Sequence, residues 1–301
     1  MTASPIPATM AAIRLRAPGL DGLTVEEVET PRARAGEALV EVHAAAITRD
    51  ELEWPTDRLP AIPSYELAGV VVEIADEVER VAVGDAVYAL TAFDHDGVAA
   101  AYAAVPASLL AAKPSALDHV ESAAIPLPAL SAWQGLFEHG RLEAGQRVLV
   151  TGPVGGVGQF ATQLARWRGA HVIGLASPDG LELARELGAD EVVTSIEDVD
   201  PVELVFDTTG GDRLRRLGAL VRPGGRLVSV AEEPQAADID TVYFVVEPSR
   251  EQLVQIARLA DDGVVRPRID SVFPLSDARA AFERSLARGK RGKVVLRVAG
   301  V

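Results

Sequence analysis

Two hydrophobic rhythms follow one another along the chain. Residues 24–29 (TVEEVE), 38–44 (ALVEVHA) and 67–75 (LAGVVVEIA) are rich in Val and partly alternate polar with apolar positions, the period of a half-buried strand. Val83-Gly84-Asp85 marks a turn before another short apolar run at 87–90. Strands at this spacing predict a compact β-barrel or sandwich in the N-terminal part. From residue 147 the rhythm changes. RVLVT at 147–151 reads as a buried strand, followed by a glycine turn and a helix through Arg168. Residues 171–176 (HVIGLA), 191–194 (EVVT), 204–207 (LVFD), 226–230 (RLVSV) and 243–246 (YFVV) read as further strands, and 181–187 as a second helix. Strands that alternate with helices and carry few charges predict a parallel sheet covered on both faces, the doubly wound α/β architecture. An amphipathic helix over 276–288 and a strand over 293–298 close the chain.

Composition narrows the chemistry. The 301 residues, 48% hydrophobic and 24% charged, supply enough apolar material for two domain cores. Cysteine is absent, which excludes disulfides, thiolate zinc sites, iron–sulfur clusters and a cysteine nucleophile. A formal charge of −15 repels phosphate backbones and anionic lipids, so the expected partners are small molecules, neither nucleic acid nor membrane. Residues 1–12 show neither the basic head nor the apolar run of a signal peptide. The uncharged run 148–165 is interrupted by four glycines and a proline, unlike a membrane span. The expectation is a cytoplasmic protein.

The stretch that carries chemistry is RVLVTGPVGGVGQFATQLA at 147–165. Gly152, Gly155, Gly156 and Gly158 fall where the strand must turn into the helix, with Val157 among them. Glycine there permits a tight turn and close approach of a pyrophosphate to the backbone, and the amides at the helix start hold the anion. A glycine pattern alone is weak; this one lies between a strand and a helix in a βαβ context. The alternative is a glycine-rich turn that binds nothing. About twenty residues on, an acid would prefer NAD by binding the ribose hydroxyls. The second strand ends instead in Leu175-Ala176-Ser177, and Ser177 can donate to a 2′-phosphate. Asp179, beside Pro178 and Gly180, reads as a solvated turn residue, although turned inward it would oppose NADP. The expected cofactor is NADPH.

These residues and others resemble the zinc-independent quinone oxidoreductase branch of the medium-chain dehydrogenase/reductase superfamily, the group that includes zeta-crystallin. The matching pieces, in order, are 63–72 (PSYELAGVVV), 83–87 (VGDAV), 124–136 (AIPLPALSAWQGL), 152–165, 187–190 (LGAD), 207–211 (DTTGG), 223–230 (PGGRLVSV) and 292–296 (GKVVL). The resemblance implies a GroES-like β-barrel domain, residues 1–125 with 268–301, into which a Rossmann domain, 126–267, is inserted. It also implies a cleft where nicotinamide meets substrate, and a homodimer. Zinc-dependent relatives place a cysteine just after the strand ending near Ile47 and a His-Glu pair at Tyr65-Glu66. This chain has Thr48-Arg49-Asp50 and Tyr65 there, so no metal is expected. Without a Lewis acid, alcohol oxidation loses its usual alkoxide stabilisation, whereas an activated quinone or enone needs less help.

Each remaining candidate has an ordinary alternative. Thr48 matches the substrate-facing loop and can donate or relay a proton; Arg49 can orient an enolate-like oxygen. Both could equally belong to a surface turn. Tyr65 can supply a proton or pack under the barrel. Ser131 matches a hydroxyl near the nicotinamide, or caps a helix. Phe244 and Val246 match a strand whose backbone meets the carboxamide, or are core. Arg291 and Lys293 reach the cofactor phosphate or the cleft, or lie solvated on an edge strand. Asp94-His95-Asp96 resembles a metal cluster but reads as a solvated loop. Trp133 and Trp167 read as packing residues; Trp54, close after the Thr48 loop, can line an acceptor pocket. The combined reading is an NADPH-dependent reductase that delivers hydride to a quinone or α,β-unsaturated carbonyl. An enoyl-thioester reductase and a non-catalytic NADPH-binding sensor or scaffold stand as alternatives.

Overall fold

The computed structural model describes residues 5–54, 57–236 and 238–298. The chain divides into two units, one made of 1–127, 248–261 and 267–301, the other of 128–247 and 262–266.

In the first unit the strands order themselves as Ile269–Pro274, Lys293–Arg297, Glu37–Ile47, Glu66–Ile74, Ala86–Leu90 and Ala111–Ala112, with Tyr102–Pro106 also paired to Glu37–Ile47. The C-terminal strand therefore returns to the N-terminal barrel, pairing antiparallel through Val294↔Ile47 and Arg297↔Ala44. This is the GroES-like topology the resemblance implies. Lys293–Arg297 lies between two neighbours, so the edge-strand alternative for Lys293 does not hold. A separate hairpin joins Thr9–Leu15 to Leu23–Glu29. Ile13, Val42, Leu67, Val87, Phe282 and Leu296 share one core. Burial does not follow the alternation evenly: Leu23–Glu29 has no buried residue, whereas Glu37–Ile47 is buried along most of both faces. The helix Arg250–Asp261, which the pattern reading missed, is tied to this unit by the Tyr88 hydroxyl, which donates to the Leu253 carbonyl at 2.6 Å.

In the second unit six parallel strands run in the order Glu191–Val193, His171–Leu175, Arg147–Thr151, Val202–Asp207, Val221–Ser229, Asp240–Tyr243. Counted along the chain this is 3-2-1-4-5-6, the doubly wound order. Leu149, Ile173, Val205 and Leu227 fill the core. The last strand sits at 240–243 rather than the expected 243–246. Its partner ends at Ser229, which pairs with Tyr243; beyond it, the Gln134 side chain takes over the backbone of Glu247 through bonds of 2.8 and 3.0 Å. Phe244 and Val246 therefore lie just past the strand, both buried.

Candidate active site

In the second unit the glycine turn has the form a dinucleotide requires. Gly152 follows the strand with φ +59°, and a Cβ there would lie 2.8 Å from Thr209 Cγ2. A Cβ on Gly158 would lie 2.0 Å from the Gly152 carbonyl oxygen, so only glycine lets the helix Gly158–Trp167 start this close to the turn. No side chain caps that helix. Among the described residues, the backbone N–H groups of Gly156 and Val157 have no protein acceptor. Unpaired amides at a helix start, with glycines leaving room above them, fit the pyrophosphate of a nicotinamide dinucleotide. Ser177 and Asp179 are both exposed. Ser177 makes no capping bond, and Asp179 lies in the first turn of the short helical segment Pro178–Gly180, where an acid suits the helix dipole. A pocket of about 230 Å³ lies among Thr194, Ser195, Glu197, Arg213 and Arg216.

The turn is braced from beneath by Asp207. This carboxylate is fully buried at the end of its strand. It accepts from the hydroxyls of Thr151 (2.7 Å), Thr209 (3.1 Å) and Ser229 (3.0 Å) and from the amides of Thr209 (3.3 Å) and Gly210 (3.0 Å). Three strand ends and the loop over Gly152 are thus tied to one anion. Ser131 is buried inside the helix Pro126–Trp133. Proline opens that helix at its first position, so the N-cap alternative for Ser131 is corrected.

In the first unit strand register gathers a buried ionic cluster. Lys293 is the residue before Val294, which pairs with Ile47, and Glu66 pairs with Ala46. The Lys293 ammonium is bonded to Glu66 Oε1 and reaches Thr48 Oγ1 at 3.3 Å; Thr48 Oγ1 lies 3.4 Å from the same Glu66 oxygen. Glu66 Oε2 accepts from the Leu127 amide at 2.9 Å. The side chains of Lys293 and Glu66 are 4% and 1% exposed. Lys293 is therefore occupied by Glu66 and not free to meet a phosphate. Beside them Glu51, also buried, accepts from the Thr48 amide at 3.1 Å through Oε2, while its Oε1 has no partner. Burial pushes its carboxyl up to about 8, against the pull of the Thr48 amide and the Lys293 charge. Burial likewise pulls the Lys290 ammonium down to about 8, helped by Lys293 and Arg49. Arg49 is exposed and donates to the Leu286 carbonyl at 3.1 Å.

Tyr65 is fully buried. Its hydroxyl accepts from Arg58 at 2.9 Å, and Arg58 also donates to the carbonyls of Phe93 and His95. Burial raises the Tyr65 phenol, opposed by the Arg58 charge. Its ring packs edge-on to Phe93 at 5.2 Å and beside Trp54 at 5.9 Å. Packing is the role this geometry supports for Tyr65. Trp54, 37% exposed, offers the open face of the aromatic group. Trp133, Phe137 and Trp167 pack on one another in the second unit, and Asp94-His95-Asp96 is an exposed loop.

The donors at the position of the zinc site in zinc-dependent relatives do not fit zinc. Thr48 replaces a thiolate, the Tyr65 hydroxyl is taken by Arg58, and both Glu66 oxygens are engaged. Sequence reasoning missed Glu51 and Arg58, noted Asp207 only as the head of the DTTGG piece without a role, and noted Glu66 only as a zinc relative's position. A carboxylate opening the apolar run ELAGVVVEI was the available signal for Glu66, because unpaired acids are seldom buried.

A GroES-like barrel carrying a polar cluster, together with a doubly wound sheet carrying a pyrophosphate turn, defines a nicotinamide-type oxidoreductase scaffold. Residues 34–115 match the alcohol dehydrogenase GroES-like domain and residues 187–296 match the family described as zinc-binding dehydrogenase. The chain is 32% identical to a probable zinc-binding oxidoreductase, mitochondrial, from Arthroderma benhamiae, covering 92% of this chain and 93% of that one. It is 31% identical to an NADPH-dependent alkenal/one oxidoreductase, chloroplastic, from Arabidopsis thaliana, covering 92% and 76%. A solved quinone oxidoreductase from Coxiella burnetii superposes with a TM-score of 0.91 at 26% identity, covering 97% and 100%. The chain belongs to the medium-chain dehydrogenase/reductase superfamily, and its general activity is that of an oxidoreductase. Among the described residues no helix is long and apolar enough to cross a membrane.

Proposed function

We propose that this chain is an NADPH-dependent, zinc-independent reductase of quinones or α,β-unsaturated carbonyl compounds, acting in the cytoplasm as a homodimer. The observation that carries the reading is the Gly152–Gly158 turn with its unpaired amides, supported by the alkenal/one and quinone oxidoreductases among the chain's relatives. Gly152, Gly155, Gly156, Val157 and Gly158 hold the pyrophosphate. Ser177 donates to the 2′-phosphate, and the backbone of Phe244 and Val246, with the Ser131 hydroxyl, orients the carboxamide. Bound there, the reduced nicotinamide supplies hydride. The protein's own contribution is positioning and charge: Trp54 presents an aromatic face to a planar acceptor, while Thr48 and Arg49 stand on the loop that meets the acceptor's oxygen. The donor set at Thr48, Tyr65 and Glu66 supports metal-free chemistry, and the strongly acidic chain favours a small neutral acceptor over polyanions.

Turnover tests the reading. Purified protein, treated with chelator, is assayed for NADPH oxidation with a short-chain enone, an alkenal, a benzoquinone and an enoyl thioester. Loss of NADPH with saturated ketone, saturated aldehyde or hydroquinone as product supports it. Turnover of the thioester alone replaces the acceptor class, and no turnover with any acceptor favours a sensor over an enzyme.

A further inference from the structure

We propose that Lys293 and Glu66 are a positioning pair that makes the Thr48 hydroxyl the proton donor to the acceptor, and that Lys293 replenishes the proton. The inference rests on the reductase reading and gives that reaction its proton path. Three observations point to it. First, an ion pair of two almost fully buried side chains is an expensive choice at a strand end, where apolar residues of similar size would be at least as stable. Second, the pair has a third member: Lys293 donates to Thr48 Oγ1 at 3.3 Å while Glu66 Oε1 lies 3.4 Å from the same hydroxyl. Third, Thr48 is the one member of the trio that reaches the surface. The buried charge communicates with solvent and substrate through that hydroxyl.

The charges around Lys293 suit this arrangement. Glu51 faces it from the neighbouring turn, Lys290 from its own loop and Glu66 from the adjacent strand. With Glu51 held as the neutral acid at pH 7, Glu66 is the one carboxylate among the described residues that is ion-paired with Lys293. Glu51 instead fixes the loop, because its Oε2 holds the Thr48 amide.

The step balances as follows. Hydride arriving at the acceptor's conjugated carbon, or at a quinone, leaves an electron pair on the acceptor's oxygen. The Thr48 O–H bond breaks as the new O–H bond forms on that oxygen, and a Lys293 N–H bond breaks to restore the hydroxyl. A quinone thereby becomes the hydroquinone. An enone becomes an enol that tautomerises in solvent to the saturated carbonyl, gaining a C–H bond at its α-carbon as the enol O–H proton is lost. Lys293 is then a neutral amine beside the Glu66 carboxylate. After product leaves, water returns one proton through Thr48, so each turnover consumes one hydride and one solvent proton.

Thr48 is the site to vary, because it is half-buried and its replacement leaves the ion pair intact. Thr48→Val is expected to lower kcat about 100-fold, the usual scale of general-acid loss, with the NADPH Kd unchanged within twofold. Thr48→Ser is expected to recover most of that rate. A second readout needs neither cofactor nor turnover. The chain has only three lysines, Lys113, Lys290 and Lys293, so ¹⁵N-lysine labelling gives a nearly bare ammonium spectrum of the whole protein. The slowly exchanging signal lost in the double variant Lys293→Met/Glu66→Leu identifies Lys293. It is expected to shift in Thr48→Val and to stay in place in Thr48→Ser. An unshifted signal in Thr48→Val, or a valine variant as fast as wild type, overturns the relay while leaving the reductase reading intact. A wild type that reduces no acceptor overturns the reductase reading, and the relay with it.

Discussion

Each unit buries a carboxylate at the end of a strand, and the two are treated in opposite ways. Asp207 has no cation near it among its bonded partners; three hydroxyls and two amides satisfy it. Glu66 is paired with an ammonium, shares a hydroxyl with it, and has Glu51 beside it with one oxygen that bonds to nothing. Neutral donors cannot exchange their role with protonation state, so the Asp207 network is a fixed brace under the glycine turn. The Glu66 cluster holds two acids around Lys293, with Lys290 close by, and Thr48 is its partly exposed member, which is the arrangement the proposed proton path uses. A nucleotide anchor requires rigidity and a proton site requires titratable neighbours, so the two kinds of satisfaction suit the separate roles proposed for them.

The contrast can be broken at either end. Asp207→Ala leaves five donors aimed at an empty position. It is expected to cost upwards of about 4 kcal/mol of stability by denaturant unfolding, the largest effect here, and to weaken dinucleotide binding with it. Lys293→Met strands the Glu66 charge and should cost about 3–5 kcal/mol, whereas Lys293→Met/Glu66→Leu should cost much less, because the pair and not either member is replaceable. Equal losses in the single and double variants would remove the ion pair from the account.

A smaller effect sharpens the difference through pH. Glu51 has a folded-state pKa of about 8 against 4.5 for the free side chain, so the folded chain holds this proton more tightly than the unfolded one. Its contribution is full below about pH 4.5, declines as pH rises toward about 8, and is lost above that. Unfolding free energies of wild type and Glu51→Gln, compared across this window, should diverge with the wild type losing ground as pH rises. Taking the difference removes His119, whose pKa is pulled down to about 4 by burial and by His43, and which acts in the opposite sense as pH falls below its ordinary value.

Much of the second unit was legible in the sequence because parallel strands buried on both faces are written as uninterrupted apolar runs, and because the turn cannot be built without glycine at 152 and 158. The 243–246 strand was misplaced by apolar content alone; where a strand stops is decided by its neighbour, Ser229, and by the distant Gln134. In the first unit the sequence marked Thr48, Arg49, Tyr65 and Lys293 one by one but not the cluster that joins Thr48 to Lys293. Lys293 comes from 245 residues further along the chain than Thr48, and nothing local shows that it meets Glu66. Glu51 sits in the charged stretch DELEW, which reads as solvated; its burial follows from tertiary packing that leaves no mark on the local pattern. The return of the C-terminal strand was implied by the family resemblance and by no periodicity.

The most direct test of the whole reading is a calorimetric titration of the full chain with NADPH and, separately, NADH. Binding of NADPH at least tenfold tighter, about 1.4 kcal/mol, is the predicted result and assigns the 2′-phosphate to the Ser177 side of the turn. Preference for NADH would contradict the cofactor assignment and give the ribose to Asp179. Binding of neither would contradict the central claim, leaving the Gly152–Gly158 turn a purely structural feature.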